Sequence, residues 1–527
     1  MTNKLLKCML VCILILALLL PAFAEEEIWA SQRYDEEVTI TQGMLLQAGY
    51  VYPDGDTMDD NAWTRLWKER YNINVVNAWD AMDSDYISKI DLDIISGELP
   101  DVFFCTPTQL VDLVKNDRIA DLSAVFEEYA SDRTKTIVSA DPVGFDAGKI
   151  DGKLYGISQL HFGYISSIVQ IYVRQDWLDN LGLSAPTTYD ELYEVCRAFT
   201  YDDPDKNGID DTYGFALYKK FDYLNQFFNG FHAYPNIWIT AEDGSIVYGG
   251  IQPEVKSCLE FLQKMYKDGL INEEFGVADK SKMKELMESG KYGAGLYTGS
   301  FGYSIGMNAY ANNPSAMFAI CEIPSIDDEP VTIGFGMNGN RFIVVNKNCE
   351  HPEAAIMMIN SYTWMINDLT DFAYRDTFLG TYLTPGSVTL NNPLADYNQA
   401  VLIAAAQDTR DTTGMDPDVL AKYEDMLMWL DDGNYEGLPY WYQCSKDGAL
   451  KLCQHVIDNE EYIIDRYHNI PTETMAKQWS SLESMKVECY TKIIMGEPIE
   501  TFDAFVEQWK ALGGDAITEE MNAMYGD

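Results

Sequence analysis

Residues 203–214 read Asp-Pro-Asp-Lys-Asn-Gly-Ile-Asp-Asp-Thr-Tyr-Gly. Asp203, Asp205 and Asn207 alternate, Gly208 follows at the position of the sharp turn, and Asp211 comes two residues after Ile209. This is the ligand spacing of an EF-hand-type calcium loop: side-chain oxygens at the first, third and fifth positions, a backbone carbonyl at the seventh, and a further oxygen at the ninth. A hard cation takes about 6–8 oxygens, and a short loop supplies them only by pointing alternate residues inward. The twelfth position holds Gly214 rather than a bidentate Glu, so Asp211 with Thr212 or water has to complete the shell. The set Asp203, Asp205, Asn207, Ile209, Asp211 and Thr212 therefore predicts a structural Ca²⁺ rather than a signalling one. The competing reading is a polar Asx-turn between a helix and a strand.

Two other motifs carry enzymatic chemistry on paper. Gly302-Tyr303-Ser304-Ile305-Gly306 matches the nucleophile pattern G-x-S-x-G. That elbow needs a buried strand before it and a helix after, and the preceding glycine-rich Gly290–Ser300 does not read as one. His351, His455 and His468 lie downstream, and the rival reading is an exported glycan-active hydrolase, either a Ser304 esterase or a carboxylate-pair glycosidase. Gly334–Gly339 matches a dinucleotide fingerprint but leads into a strand, so no helix N-terminus would receive the phosphates. With 83 acidic residues, a carboxylate pair at glycosidase distance arises by chance, so such a pair is no evidence for a glycosidase.

The elements that must position these residues alternate between strand and helix. Glu37–Leu46 is β-rich, Asn61–Tyr71 is an amphipathic helix, and Ile73–Trp79 is a strand. Tyr86–Ser96 is a helix, Asp101–Cys105 a short buried strand, and a helix follows around Gln109–Lys115. Such a βαβαβ rhythm predicts an α/β domain with a parallel sheet. Ligands bind such sheets beyond the carboxyl ends of the strands, which makes Trp79, Asp80 and Thr106 candidate lip residues. Ser167–Arg174 and Arg341–Asn346 read as two β passages of the chain. Thr188-Tyr189-Asp190-Glu191 reads as a capping box. Val255–Asp268 and Thr501–Leu512 are amphipathic helices.

The first 24 residues read as a secretory leader: Lys4 and Lys7, the apolar run Met9–Leu20, and Ala22-Phe23-Ala24 as a cleavage site. The run is shorter than the ~20 residues of a membrane-spanning helix. No cysteine stands at the cleavage point, so lipid anchoring is not expected. The formal net charge is −46, a field that excludes nucleic acid and anionic lipid as main partners and favours neutral or cationic ligands. A local basic patch could override that preference. Of ten cysteines, Cys8 and Cys12 fall in the leader. The rest are scattered without CxxC or zinc-type spacing, and no bridge is predicted.

The ordered set of segments resembles the extracellular solute-binding proteins of ABC importers, in the carbohydrate-type group that includes alginate-oligosaccharide-binding periplasmic proteins. The matching segments are Leu99-Pro100-Asp101-Val102, Gly152–Ile157, Val173–Leu178, Pro186–Leu192, the 203–214 loop, Met265–Ile271 and Phe502–Gly514. The resemblance implies a two-lobe periplasmic-binding-protein fold, type II and of the large variant, with crossing hinge strands. It lays the lobes out as 25–171 with 338–395, and 172–337 with 396–527. It also implies hinge closure over a sugar, delivery to a membrane ABC permease, and a monomer. A sensor accessory that presents ligand to a membrane kinase would share every one of these residues.

Sugar sites are concave, aromatic-lined and sparsely polar. The candidates are Tyr440-Trp441-Tyr442, Trp238, Tyr303 beside Phe301, Trp79 with Asp80, Thr106, His161 with Phe162, and Trp364 with Arg375. Three successive aromatics at 440–442 cannot all face one core, so at least one is expected to face solvent or ligand. The kind of sugar is not legible from one sequence, and a peptide ligand stays open.

Overall fold

The computed structural model describes residues 32–46, 52, 55–160, 163–337, 339, 341–367 and 386–526. Residues 1–24, read above as a leader, and His161, Phe162 and Arg375 lie outside the described residues. The chain divides into two compact units, one of residues 1–161 and 338–393, the other of 162–337 and 394–527.

In chain order, the first unit runs β1 (Val38–Leu46), α1 (Ala62–Tyr71), β2 (Ile73–Met82), α2 (Asp83–Ser96), β3 (Val102–Cys105), α3 (Pro107–Lys115) and β4 (Ile157–Ser158). The second unit follows with β5 (Val169–Arg174), α4 (Gln175–Leu181), α5 (Tyr189–Tyr201), β6 (Tyr213–Ala216), α6 (Val255–Lys267), α7 (Lys280–Glu288), β7 (Tyr292–Thr298), β8 (Phe318–Cys321) and β9 (Ile333–Phe335). The chain returns to the first unit for β10 (Phe342–Val345) and α8 (Glu353–Asn367). It ends in the second with α9 (Ala395–Thr409), α10 (Pro417–Asp432), α11 (Leu438–Cys444), β11 (Tyr462–Ile464), α12 (Met475–Ile494) and α13 (Thr501–Trp509).

The first unit's sheet has the order β2-β1-β3-β10-β4. β1 runs parallel to β2 and β3, as the βαβαβ rhythm predicts, while β10 is antiparallel to both its neighbours. α1 buries Trp63, Leu66 and Trp67 on one face. Its capping box is formed by Asn61 and Thr64, and Asn72 ends it in the left-handed conformation. The Trp67 indole N–H donates to Ser361 of α8 at 2.9 Å, so this deeply buried ring has its polar atom satisfied.

The second unit's sheet has the order β8-β5-β7-β6, with β7 parallel to β6 and antiparallel to β5. Val169–Arg174 is thus wholly a strand of the second unit and Phe342–Val345 wholly of the first. The chain changes unit ahead of each, at 161/162 and 337/338, rather than along the strands themselves. β5 is buried along its whole length, Gln170 and Arg174 included, as in a central strand covered on both faces. Thr188 caps α5 by accepting from the Glu191 N–H, whereas the Glu191 carboxylate turns back to Thr187. One half of the expected capping box has therefore moved one residue upstream. Trp177, Trp238, Tyr248 and Trp509 anchor the core against α12 and α13. All eight cysteines of the described residues are free thiols, and all but Cys349 are buried. The fold rests on its cores, not on bridges.

Candidate functional site

The 203–214 loop follows α5 and leads into β6. Asp203, Lys206 and Gly208 take positive φ, the tight winding that such a loop needs. The Asp203 carboxylate accepts from the Asn207 and Gly208 N–H groups at 3.1 Å each. The Asn207 amide nitrogen donates to Asp205 at 2.8 Å and to Asp211 at 3.4 Å, so a weak donor stands where several acidic oxygens face inward. Burial, opposed by the Asn207 N–H and reinforced by the charge of Asp203, raises the Asp205 pKa. Lys291 pairs with Asp211 from outside the loop and lowers its pKa. Drawn toward Lys291, Asp211 does not close on the other two acids, and among the described residues no three His, Cys, Asp or Glu side chains gather to hold a metal ion. Thr212 is buried, and its hydroxyl donates to the Phe199 carbonyl at 2.8 Å. Its side chain therefore faces the core, and only its backbone is left to serve the loop. The donor set of three carboxylates and an amide oxygen fits a hard cation.

A second constellation stands at the carboxyl ends of the parallel strands β6 and β7, the end of a parallel pair where ligands bind. β7 ends at Thr298, whose hydroxyl lies 3.0 Å from that of Ser300. Tyr223 and Tyr297 meet edge to face at 5.0 Å, and the Tyr297 hydroxyl donates to Ser304 at 3.2 Å. Lys280, the first residue of α7, donates to the Tyr223 phenol at 2.5 Å and lies over its ring at 4.2 Å. Burial raises the pKa of Tyr223 and of its neighbour Tyr218, so both phenols remain donors.

The turn beyond β7 winds as a π-helix over Gly302–Gly306. Tyr303 is 40% exposed there, donates to the Gln443 side-chain carbonyl at 3.0 Å, and meets Tyr440 edge to face at 5.3 Å. Together they form an aromatic face with an amide beside it, the chemistry that binds a pyranose ring and its hydroxyls. Of the three aromatics at 440–442, Tyr440 and Trp441 are half-buried on α11, while Tyr442 is fully buried and its hydroxyl accepts from the Phe318 N–H at 2.9 Å. A one-turn helix divides them between surface and core, so Tyr442 is withdrawn as a ligand residue. Trp238 is also withdrawn. It is 1% exposed and packs on Tyr248 and Trp479 in the core.

In the first unit, Trp79 and Asp80 lie near the carboxyl end of β2. The Trp79 indole donates to Asp93 at 2.8 Å. Its ring lies across β1 at Gly43, where an added Cβ would come within 2.6 Å of it. Asp80 is exposed. Thr106 is half-buried and its hydroxyl caps α3, which leaves it a positional rather than a contacting role. Trp364, on α8, carries the Arg70 guanidinium over its ring at 4.3 Å. His161, Phe162 and Arg375 fall outside the described residues.

Contrary to the sequence reading, a buried strand, β7, precedes Ser304 and a short helix, Met307–Asn312, follows it. Ser304 nevertheless sits inside the π-turn with its oxygen accepting from Tyr297, and the three histidines are engaged elsewhere. His351 meets Glu353 at 3.1 Å, His455 meets Glu322 at 3.2 Å, and His468 packs on Tyr525. His455 also lines a second-unit cavity of about 520 Å³ with Glu322 and Glu461. Its two ring nitrogens face different carboxylates, so the acids do not converge on one point.

Sequence reasoning missed Lys280, Tyr223 and Tyr297, whereas Gln443 stands in the 440–443 cluster that the sequence singles out. Lys280 and Tyr223 are separated by more than fifty residues of chain, and only the β6–β7 crossover brings them together.

A family model described as bacterial extracellular solute-binding protein matches residues 51–363. The polygalacturonan/rhamnogalacturonan-binding protein YtcQ of Bacillus subtilis is 37% identical over 385 residues, 70% of each chain. Lipoprotein LipO of the same organism is 24% identical over 477 residues, 87% of each chain. Among solved structures, an HMO-binding, ABC-transporter-associated solute-binding protein of Bifidobacterium longum infantis aligns with a TM-score of 0.63 at 14% identity, covering 93% of this chain and 98% of its own. Alginate-binding protein AlgQ2 aligns at 0.57 and 15% identity over the same shares. At these identities the structural likeness shows a shared fold.

Proposed function

Because the chain belongs to the bacterial extracellular solute-binding proteins, we propose that it captures an oligosaccharide outside the cell and hands it to a membrane ABC permease. The observation that carries this reading is the Tyr303–Tyr440–Gln443 face beside the carboxyl ends of β6 and β7. Tyr303 and Tyr440 offer ring faces for the apolar side of a pyranose, and Gln443, Ser300 and Ser304 offer hydrogen bonds to its hydroxyls. Trp79 and Asp80 are the first unit's own candidate sugar contacts, and the ligand-bound monomer is what the permease receives. None of these residues performs chemistry on the ligand.

The 203–214 loop binds a structural Ca²⁺ in this reading, held by Asp203, Asp205, Asn207, Asp211 and the carbonyl of Ile209. The cation supplies the charge that the facing carboxylates lack and ties α5 to β6. Residues 1–24 act as an export leader, and the chain works at the cell surface or in the periplasm.

A thermal-shift screen against oligosaccharides tests the proposal. A ligand at 100 times its Kd stabilises by about 2.7 kcal/mol, a clearly raised Tm, and the sugar is expected back intact. A screen in which no glycan shifts the Tm while peptides do would replace the sugar by a peptide.

A further inference from the structure

We propose that Lys291 is a built-in competitor of the calcium ion. Its ammonium holds Asp211 while no metal is bound, and it has to release that carboxylate before the 203–214 loop closes on Ca²⁺. This rests on the calcium reading of the loop given above and adds the residue that sets its affinity.

The backbone brings the two side chains together. Lys291 ends the turn between α7 and β7, where Gly290 takes positive φ. Its N–H donates to the Leu286 carbonyl at 2.9 Å, and its own carbonyl accepts from the Tyr213 N–H at 2.9 Å. The next residue, Tyr292, is in register with Tyr213 in the parallel β6–β7 pair, and their rings meet at 5.6 Å. Tyr213 stands two residues after Asp211. The ladder that fixes the exit of the loop therefore also fixes Lys291 beside the loop's ninth position.

The chemistry of the pair opposes a second cation. Each oxygen of Asp211 meets a donor: Lys291 Nζ on Oδ2, and Asn207 Nδ2 on Oδ1 at 3.4 Å. The Asn207 amide can turn to present its oxygen to a metal, whereas an ammonium only donates and repels a divalent ion. Asp203 and Asp205 are held differently, by N–H groups of the loop itself at 2.8–3.3 Å. Calcium loops tune their affinity by the number of ligand charges. With Asp211 neutralised from outside, three carboxylates act as two, and Asp211 is turned away from the others. Lys291 also relieves the mutual repulsion of the acids, so it supports the loop in the absence of the ion. Both partners are partly exposed, and such a pair is of modest strength. The competition therefore lowers the affinity for calcium without abolishing binding.

Titration calorimetry of calcium chloride into chelator-treated residues 25–527 reads the affinity, and melting in chelator and in saturating calcium reads the linked stability. Lys291→Gln is expected to bind Ca²⁺ about fivefold more tightly than wild type, while Lys291→Arg, which keeps the charge, stays within about twofold. In chelator the Tm of Lys291→Gln is expected to fall below that of wild type. In saturating calcium the two are expected to converge, which also shows that the variant folds. Lys206→Gln is the control for general charge, because the fourth position of the loop supplies no ligand; its affinity is expected to match wild type. Equal or weaker calcium binding by Lys291→Gln overturns the inference and leaves the calcium reading in place. An equal gain in Lys206→Gln does the same, since it would show a general effect of net charge. No calcium binding by any form, with melting indifferent to chelator, overturns both.

Discussion

Asp465 offers the sharpest thermodynamic test of the second unit's packing. It follows β11, and one of its carboxylate oxygens accepts from the backbone N–H groups of Trp238 and Tyr467, each at 2.9 Å. The side chain is buried among Trp238, Tyr248 and Tyr467, and desolvation pushes its pKa up from 3.8 to about 7, although the two N–H donors pull the other way. The folded pKa is thus above the unfolded one. The stability linked to it is complete below about pH 4 and is lost as the pH rises through about 7. At roughly 1.4 kcal/mol per pKa unit, the full cost above pH 7 is on the order of 4 kcal/mol, an upper bound. Asp465→Asn keeps an oxygen for both N–H groups and cannot ionise. Urea melts of wild type and variant at pH 4.5 and pH 8 measure the effect. The variant should match wild type at pH 4.5 and exceed it by about 2–4 kcal/mol at pH 8. A variant less stable than wild type at pH 8 would refute the reasoning, because it would show an ionised carboxylate stabilised by the two N–H donors.

Other perturbations give equally distinct outcomes. Asp203→Ala with Asp205→Ala is expected to lower the Tm in calcium and to abolish its response to a chelator; identical melting with and without chelator in wild type would remove calcium from the account. Tyr303→Ala and Gln443→Ala should each weaken oligosaccharide binding about tenfold, or about 1.4 kcal/mol, with the Tm of the free protein unchanged, as calorimetry and melting together would read. Gly293→Ala places a Cβ 2.1 Å from the Phe199 ring and 2.7 Å from Trp177, so overpacking should cost about 1–3 kcal/mol in a denaturant melt. Thr188→Ala removes the α5 cap at the Glu191 N–H and should cost about 1 kcal/mol.

The elements of the fold were largely legible because their signals are local. Trp63, Leu66 and Trp67 mark α1 by period, and the β-branched and aromatic residues of Val169–Arg174 mark a strand. Boundaries shifted where polar chemistry decides them: α3 begins at Pro107 because Thr106 caps it, two residues before the apolar pattern starts. The path between units is not legible from a strand's sequence, which reports its burial and not the sheet it joins. Aromatic residues were the least legible. Trp238 and Tyr303 look alike as candidates, yet Trp238 meets Tyr248, Trp479 and Asp465 through contacts spanning long stretches of chain. Tyr442 was separated from Tyr440 only by the helical turn of α11. Lys280 carried no local signal, since the Tyr223 and Tyr297 rings it lies against are brought to it by the β6–β7 crossover.

The central claim is that the chain holds an oligosaccharide without altering it. Equilibrium binding of a defined oligosaccharide to residues 25–527, followed by mass analysis of the sugar released on unfolding, tests this most directly. The account predicts one equivalent of sugar per chain, recovered at its original mass after prolonged incubation. Recovery of shortened or de-esterified sugar would contradict it and return the Tyr297–Ser304 turn to consideration as an enzymatic site.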